Sequence, residues 1–522
     1  MTFMDRIKNM FKKGGYALNS ESLGTINDHW KINIDPEELI RIENNFREYK
    51  NDYPDIEYIN SNNKSAKRKY MALNLRKMTA EMMSSLVFNE QTEIKVDAKA
   101  NKGANDFIQK TFEHNDFKRN LAKYLEPMFA IGGLAVRPYV DTSTGEVEFS
   151  WALANSFYPL RSNSKGITEG VVVFKTVVNS GKKTYYYTLL EFHEWEDGNI
   201  KITNELYESE DSTIVGKRVP LGYNDQYKDL LETATITEPS KPILNYLKPS
   251  GFNNFSLYSP LGIGLCDNSS SVVKQINDTF DQFNWEIRMG QRTVLVSDHM
   301  LNYVPDEKNQ VMKPVFDPDV NVFKALRMDD TNEAIKDVTS DIRTDQYISA
   351  INQSLKMLEM QMQLSVGTFS FDGKSFKTAT EVVSENSLTY RTRNMQCNEV
   401  EKFIKGLIVS ILEVSKATKV NGKALYDGDI PTFDQISVDF DDGIFGSRDQ
   451  KLEFYSKAKT VGLVPTTEAL KGIFKLTDEE SQKWFKRIQM EETGLDSVEI
   501  DDYLEKKGFG SDESWMAKKD SA

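Results

Sequence analysis

Cysteine is nearly missing: Cys266 and Cys397 are the two in 522 residues. Two thiols cannot build a disulfide framework, so a packed core must hold the fold, and a reducing cytoplasm is the expected place of synthesis. Histidine is almost as scarce. His29, His114, His193 and His299 stand too far apart in sequence to form a local metal pair. No apolar run approaches the ~18–20 residues of a membrane-crossing helix. The longest, Leu407-Ile-Val-Ser-Ile-Leu412, is far too short. Positive charge is also in deficit, with 65 Lys and Arg against 79 Asp and Glu, a net charge of -14. A protein that grips nucleic acid by its phosphates presents a basic face. This chain either leaves nucleic acid alone or must let it slide past, and the sign of the charge does not separate these cases.

Signatures of catalysis are missing too. Gly373-Lys374-Ser375 has the end of a phosphate-binding loop, but the preceding glycine, Gly367, lies six residues upstream instead of five. An amphipathic helix precedes it where a buried strand is needed. His193-Glu194 begins like a zinc-protease motif, yet position 197 is Asp. Asp439, Asp441 and Asp442 are out of register with Gly443 for a calcium loop. No G-x-S-x-G elbow occurs. A helix-turn-helix reading of 451–491 fails on an acidic tail. These absences argue against an enzyme and imply no cofactor and no metal.

What is present is organised. The length implies two to four structural regions. The N-terminus puts Phe3, Ile7, Met10 and Phe11 on one helical face amid basic residues, and lacks the apolar core of a signal peptide. It reads as a docking arm, with a membrane-surface helix as the alternative. Asp35-Pro36 predicts a helix over 36–50. A second helix is expected from Ser65 to Phe88, with a basic start at Lys64, Lys67, Arg68 and Lys69, then Arg76 and Lys77, that is either a solvated face or aimed at an acidic neighbour or nucleic acid. A short strand at Glu93–Val96, a helix over 103–128, and β-type runs at 134–140, 147–151, 170–178, 185–195 and 199–206 follow. Turn signals at Thr144-Gly145 and Ser180-Gly181 separate these runs.

Residues 260–366 have the most distinctive layout. A helix from about Pro260 to Gly290 is followed by about fifty residues without helical period, then by a helix from Thr344 to Val366. Its residues Ile348, Ile351, Leu355, Leu358 and Met362 form a packing seam. At 1.5 Å per residue each helix spans roughly 35–45 Å. Packed antiparallel, they hold the insert out at the far end. A Gly-bounded loop with three phenylalanines and two lysines follows, then the capping box Thr378-Ala-Thr-Glu381. Its helix runs to Arg393 and beyond, and a further helix is expected over 398–417. Ile436–Phe440 reads as a strand. Gly462, Thr466 and Thr477 punctuate three helices in the tail.

Taken in order, Met1-Thr-Phe-Met-Asp-Arg-Ile-Lys, Phe157-Tyr-Pro-Leu160, Lys377-Thr-Ala-Thr-Glu-Val-Val-Ser-Glu385, Asp439-Phe-Asp-Asp-Gly-Ile-Phe445 and Val461-Gly-Leu-Val-Pro465 resemble the portal proteins of long-tailed phages of Gram-positive hosts. The resemblance implies an α+β portal fold and a dodecameric ring at one capsid vertex, synthesised in the host cytoplasm. It implies a wing over 1–255, stem helices over 256–290 and 344–366, a clip over 291–343, and a tunnel loop over 367–377. A tunnel helix returning to the wing covers 378–446, and a crown covers 447–522. Implied partners are further copies of the chain, double-stranded DNA passing without sequence specificity, the terminase large subunit, the major capsid or scaffolding protein and a head-completion adaptor, with no membrane. Phe371, Asp372, Lys374 and Lys377 would face the DNA channel, and Phe369, Phe371 and Phe376 would pack the loop between subunits. Asp306, Glu307, Lys308, Asp317 and Asp319 would face the motor or connector. The alternatives are a mobile surface loop at 367–377, another minor head or connector protein and, from a different class, a nucleic-acid-processing enzyme.

Overall fold

Asp35 caps the first helix by accepting the Glu37 N–H at 3.0 Å, and Pro36 supplies the preset first turn of α1, Pro36–Tyr49. The computed structural model describes residues 22–493 apart from 60–63, 90, 98–102, 142, 182, 291–293, 298–301, 307–310, 316–322, 327–334, 338–340, 371–386, 421, 441–447 and 475–477. The chain divides into two compact units, Met1–Lys377 with Ser384–Phe440 and Thr378–Val383 with Asp441–Ala522. The first mixes helices with mostly antiparallel sheets, an α+β arrangement.

The expected helix from Ser65 is half right. Ser65–Arg68 is a strand paired antiparallel with Ile56–Ile59, and the helix, α2, is only Leu75–Val87. The basic residues Lys67 and Arg68 therefore lie on a hairpin, not at a helix start. The single helix expected over 103–128 is two, α3 (Ala104–His114) and α4 (Phe117–Ile131), broken where Asp116 takes a left-handed φ of 49°. Phe117, Leu121, Leu125, Met128 and Phe129 bury one side of α4 completely and centre the main core.

The β-type runs form two sheets. Leu134–Asp141 pairs with Glu146–Leu153 across the Thr144-Gly145 turn, and Asn245–Leu247 adds to its other edge. The larger, seven-stranded antiparallel sheet orders Ser22–Leu23, Gly216–Val219, Asn199–Ser209, Lys183–Glu196, Gly166–Ser180 and Phe157–Asn163, with Thr233–Ile236 also paired to Asn199–Ser209. Glu93–Val96 pairs with Ile436–Asp439, two expected strands whose partnership spans most of the chain.

Helix α5 is Ser270–Met289, and it starts ten residues later than expected. The reason is a close docking of the preceding glycines. A Cβ on Gly262 would fall 2.3 Å from the Gly132 carbonyl, and one on Gly264 2.3 Å from that of Ala130. The segment lies against the end of α4, where the Leu265 N–H donates to the Phe129 carbonyl at 2.9 Å. A 3-10 turn, Asp267–Ser269, then leads into α5. Helix α6 is Thr344–Gln361. It stops short of Val366 because Gln363 turns left-handed at φ 55° and the Leu364 N–H closes on the Glu359 carbonyl at 2.8 Å. At 1.5 Å per residue the two helices span about 30 and 27 Å, shorter than expected. Between them Val294–Ser297 pairs parallel with Phe323–Leu326 and antiparallel with Ile335–Asp337, and Asn302–Asp306 forms a hairpin with Val311–Val315.

The two helices expected on either side of residue 398 are one, α7, Ser387–Ala417. Its Val400, Ile404, Leu407, Ile408, Ile411 and Leu412 are buried, so the longest apolar run of the sequence is a core face. No helix of the described residues is long and apolar enough to cross a membrane. In the second unit α8 (Arg448–Thr460) ends at Gly462, φ 76°, and α9 (Thr466–Phe474) and α10 (Asp478–Thr493) follow as their start signals predict.

Candidate functional site

Helices α5 and α6 pack antiparallel, and the contacts fix which ends meet. Val272, Val273 and Ile276 near the start of α5 bury against Leu355 and Leu358 near the end of α6. At the other end the Phe283 and Tyr347 rings stand 5.2 Å apart. Glu286 there accepts the Arg343 backbone N–H at 3.0 Å, the Arg343 guanidinium at 2.6 Å and the Tyr347 hydroxyl at 2.8 Å. The three-stranded sheet and the separate hairpin between the helices are thus joined to the pair at one pinned end. Ile351, Leu355 and Leu358 form the seam inside the chain, whereas Ile348 is exposed and falls off it. Ile287, Met289, Met357 and Met360 are exposed as well.

The Arg343 bonds pull the Glu286 carboxyl from its usual 4.5 down to about 2. A carboxylate depressed in the folded state stabilises fully above its unfolded pKa and loses that contribution as pH falls through the folded one. Wild type should therefore melt above Glu286→Gln at neutral pH, with the gap closing between about pH 4.5 and 2. A gap that stays constant over that window contradicts the assignment.

The other end of the pair is rooted in buried charge. Asp267 receives Arg76 on one oxygen at 2.8 Å, and Arg41 at 2.6 Å and the Gly264 N–H at 2.9 Å on the other. Arg76 also reaches Glu48 at 2.9 Å and the Ala130 carbonyl at 3.1 Å, and Arg41 reaches Glu38 and the Gly262 carbonyl. Burial works against the charge on Arg76, but Asp267 and its other anionic neighbours outweigh it and hold its pKa above the ordinary value. Residues 68–73 strap onto the outside of α5. Arg68 forks onto Asp281 with two bonds of 2.6 Å and lies 4.7 Å from the Trp285 ring. Asp281 also accepts the Met71 N–H, Asn277 the Leu73 N–H, and Asp278 the Tyr70 hydroxyl. Arg68 therefore has an acidic neighbour in its own chain, one of the two readings of the basic stretch. Lys67 pairs with Glu57.

After α6 the chain makes a tight turn held by Glu359. This fully buried carboxylate accepts the N–H groups of Gly367 at 3.1 Å, Phe369 at 2.5 Å and Ser370 at 2.7 Å, and the Ser370 hydroxyl at 3.0 Å. The Ser365 N–H donates to the Thr389 hydroxyl at 2.9 Å, and the Thr392 hydroxyl to the Gln363 carbonyl at 2.8 Å, so α7 is tied to the same turn. Phe369 packs against the core of its own chain. Phe371, Asp372, Lys374, Phe376, Lys377 and the Thr378–Glu381 capping box lie outside the described residues, as do Glu307, Lys308, Asp317 and Asp319. Asp306 ends the Asn302–Asp306 strand, opposite Val311. Sequence reasoning missed Glu359 and Asp267. A carboxylate directly beside the α6 seam, ahead of a Gly-containing turn, was the available signal for the first.

Among the described residues no group of three His, Cys, Asp or Glu is placed to hold a metal ion. His193, where the sequence begins like a zinc-protease motif and then departs from it, is buried and bonded to Glu191, which also carries the Arg137 guanidinium; burial raises the Glu191 pKa, and these two partners more than reverse it, to about 2. The family whose sequence pattern matches is described as phage portal protein, SPP1 Gp6-like, and the match covers residues 28–494. Comparison with curated proteins gives no match.

Proposed function

Because the chain belongs to the SPP1 Gp6-like family of phage portal proteins, a family of structural components of the virion capsid, we propose that it forms a dodecameric ring at one vertex of a long-tailed phage of a Gram-positive host. The ring is the channel for DNA packaging and ejection. It docks the terminase large subunit during packaging and a head-completion adaptor afterwards, and it meets the capsid or scaffolding protein at its rim. In this reading residues 1–255 are the wing, α5 and α6 the stem, 291–343 the clip and 367–377 the tunnel loop. Residues 378–446 return to the wing, and 447–522 are the crown. Asp306, Glu307, Lys308, Asp317 and Asp319 then meet the motor or the connector.

The observation that carries the reading is the antiparallel α5/α6 pair with a small sheet at its pinned end. Such a pair is amphipathic on two sides. One side is satisfied within the chain by the 355/358 seam, while Ile287, Met289, Ile348, Met357 and Met360 remain exposed and suit burial by neighbouring copies. A heterologous contact that closes gives a ring. The charge fits passage rather than capture. A net charge of -14 repels phosphates and leaves a few lysines to make brief contact. Native mass measurement of the purified full-length protein is expected to give one closed assembly of about twelve 59.7 kDa chains. A stable monomer, or an open ladder that grows with concentration, overturns the proposal.

A further inference from the structure

Glu359 is a carboxylate with 0% exposure on a helix whose inward face is otherwise apolar or small. A buried carboxylate is tolerated only where donors replace its water. Here three backbone amides and one hydroxyl, all within residues 367–370, converge on it. Convergent amides of this kind form an anion nest, and the anion is supplied by the chain's own α6. An apolar side chain at 359 would fill the space but orphan the amides. The carboxylate fixes both the position and the orientation of the turn. The Ser365–Thr389 and Gln363–Thr392 bonds hold the other foot, where α7 begins.

We propose that Glu359 is a positioning residue: it clamps the root of the segment that follows Ser370 onto the last turn of α6, so that the helix and the root of that segment move as one body. The proposal rests on the reading of residues 367–377 as the channel-facing loop. A loop that meets moving DNA must pass load to the stem without its root shearing, and four charge-assisted hydrogen bonds give that stiffness where apolar contact alone would let the turn slide.

Glu359→Gln keeps the shape but presents an NH2 group to donors. In the full-length assembly, exchange of the 367, 369 and 370 amides is expected to quicken about tenfold, the value of one net hydrogen bond. The rings should still form, and DNA packaged per particle should fall about tenfold. Glu359→Asp, which keeps the charge at shorter reach, should recover part of both losses and serves where the glutamine variant does not fold. Wild-type exchange in Glu359→Gln overturns the clamp, and faster exchange with normal packaging overturns its positioning role. If reversing the charge of Lys374 and Lys377 leaves packaging intact, it is the channel-facing reading that fails, and the exchange result still decides the clamp.

Discussion

Asp267→Ala is expected to destabilise the protein by about 3–5 kcal/mol, the usual cost of removing one partner from a buried ion pair. Asp267 is buried, and each of its oxygens answers a different arginine. Truncation leaves Arg76 leaning on Glu48, which is 30% exposed, and Arg41 on Glu38. It also strips the Gly264 N–H of its acceptor, in a segment where no Cβ fits. The three elements joined there are α1, α2 and the turn that launches α5, so the loss falls on the root of the helix pair. Asp267→Asn should cost less, since one oxygen can still serve one arginine. Replacing Asp267 and Arg76 together by apolar residues of similar volume should recover much of the loss, because the charge left uncompensated is what costs. Denaturant unfolding of the full-length protein at matched chain concentration measures this. A wild-type midpoint in Asp267→Ala would show that solvent or other groups already satisfy the two guanidinium ions.

Local chemistry was readable wherever one side chain decides the backbone. Asp35-Pro36 announces α1, Gly462 ends α8, and Thr466 starts α9, because cap and turn residues act within a few positions. Alternation with Gly turns also marks the strands of the large sheet. What could not be read was set by partners far along the chain. Nothing within residues 64–69 forbids a helix. The strand forms because Ile56–Ile59 pairs with it and because Asp281, 213 residues away, takes Arg68 and the Met71 amide. The start of α5 is displaced by Gly262 and Gly264 pressing on the end of α4, a contact that periodicity cannot see. The polar stretch around Arg393 hides the continuity of α7, which tertiary burial of its later face sustains. The site divides in the same way. The antiparallel pair and its insert follow from helical spacing, whereas the charge at its root and the carboxylate at its end do not, since 79 acids offer no ground for choosing Asp267 or Glu359.

If residues 367–377 face the channel as proposed, reversing the loop charge, with Lys374→Glu and Lys377→Glu combined, should lower the yield of DNA-filled heads about a hundredfold while ring formation is unchanged, because added negative charge along the pore raises a barrier to phosphate at every copy. Each substitution changes the local charge by two, and in a closed ring the change repeats around the axis. The chain is already acidic, with 79 acids against 65 basic residues, and on the proposed channel-facing reading these lysines would offset part of its repulsion of a duplex. Two controls separate charge from shape. Lys374→Arg with Lys377→Arg keeps the sign and should package near the wild-type level, since transient phosphate contact does not need the ammonium in particular. Raising the ionic strength during packaging in vitro should partly rescue the glutamate pair, because the Debye length falls to about 3 Å at 1 M salt and long-range repulsion weakens. A defect of equal size in the arginine pair would mean that lysine itself, not charge, is required. Normal filling by the glutamate pair would remove this loop from the proposed path of DNA.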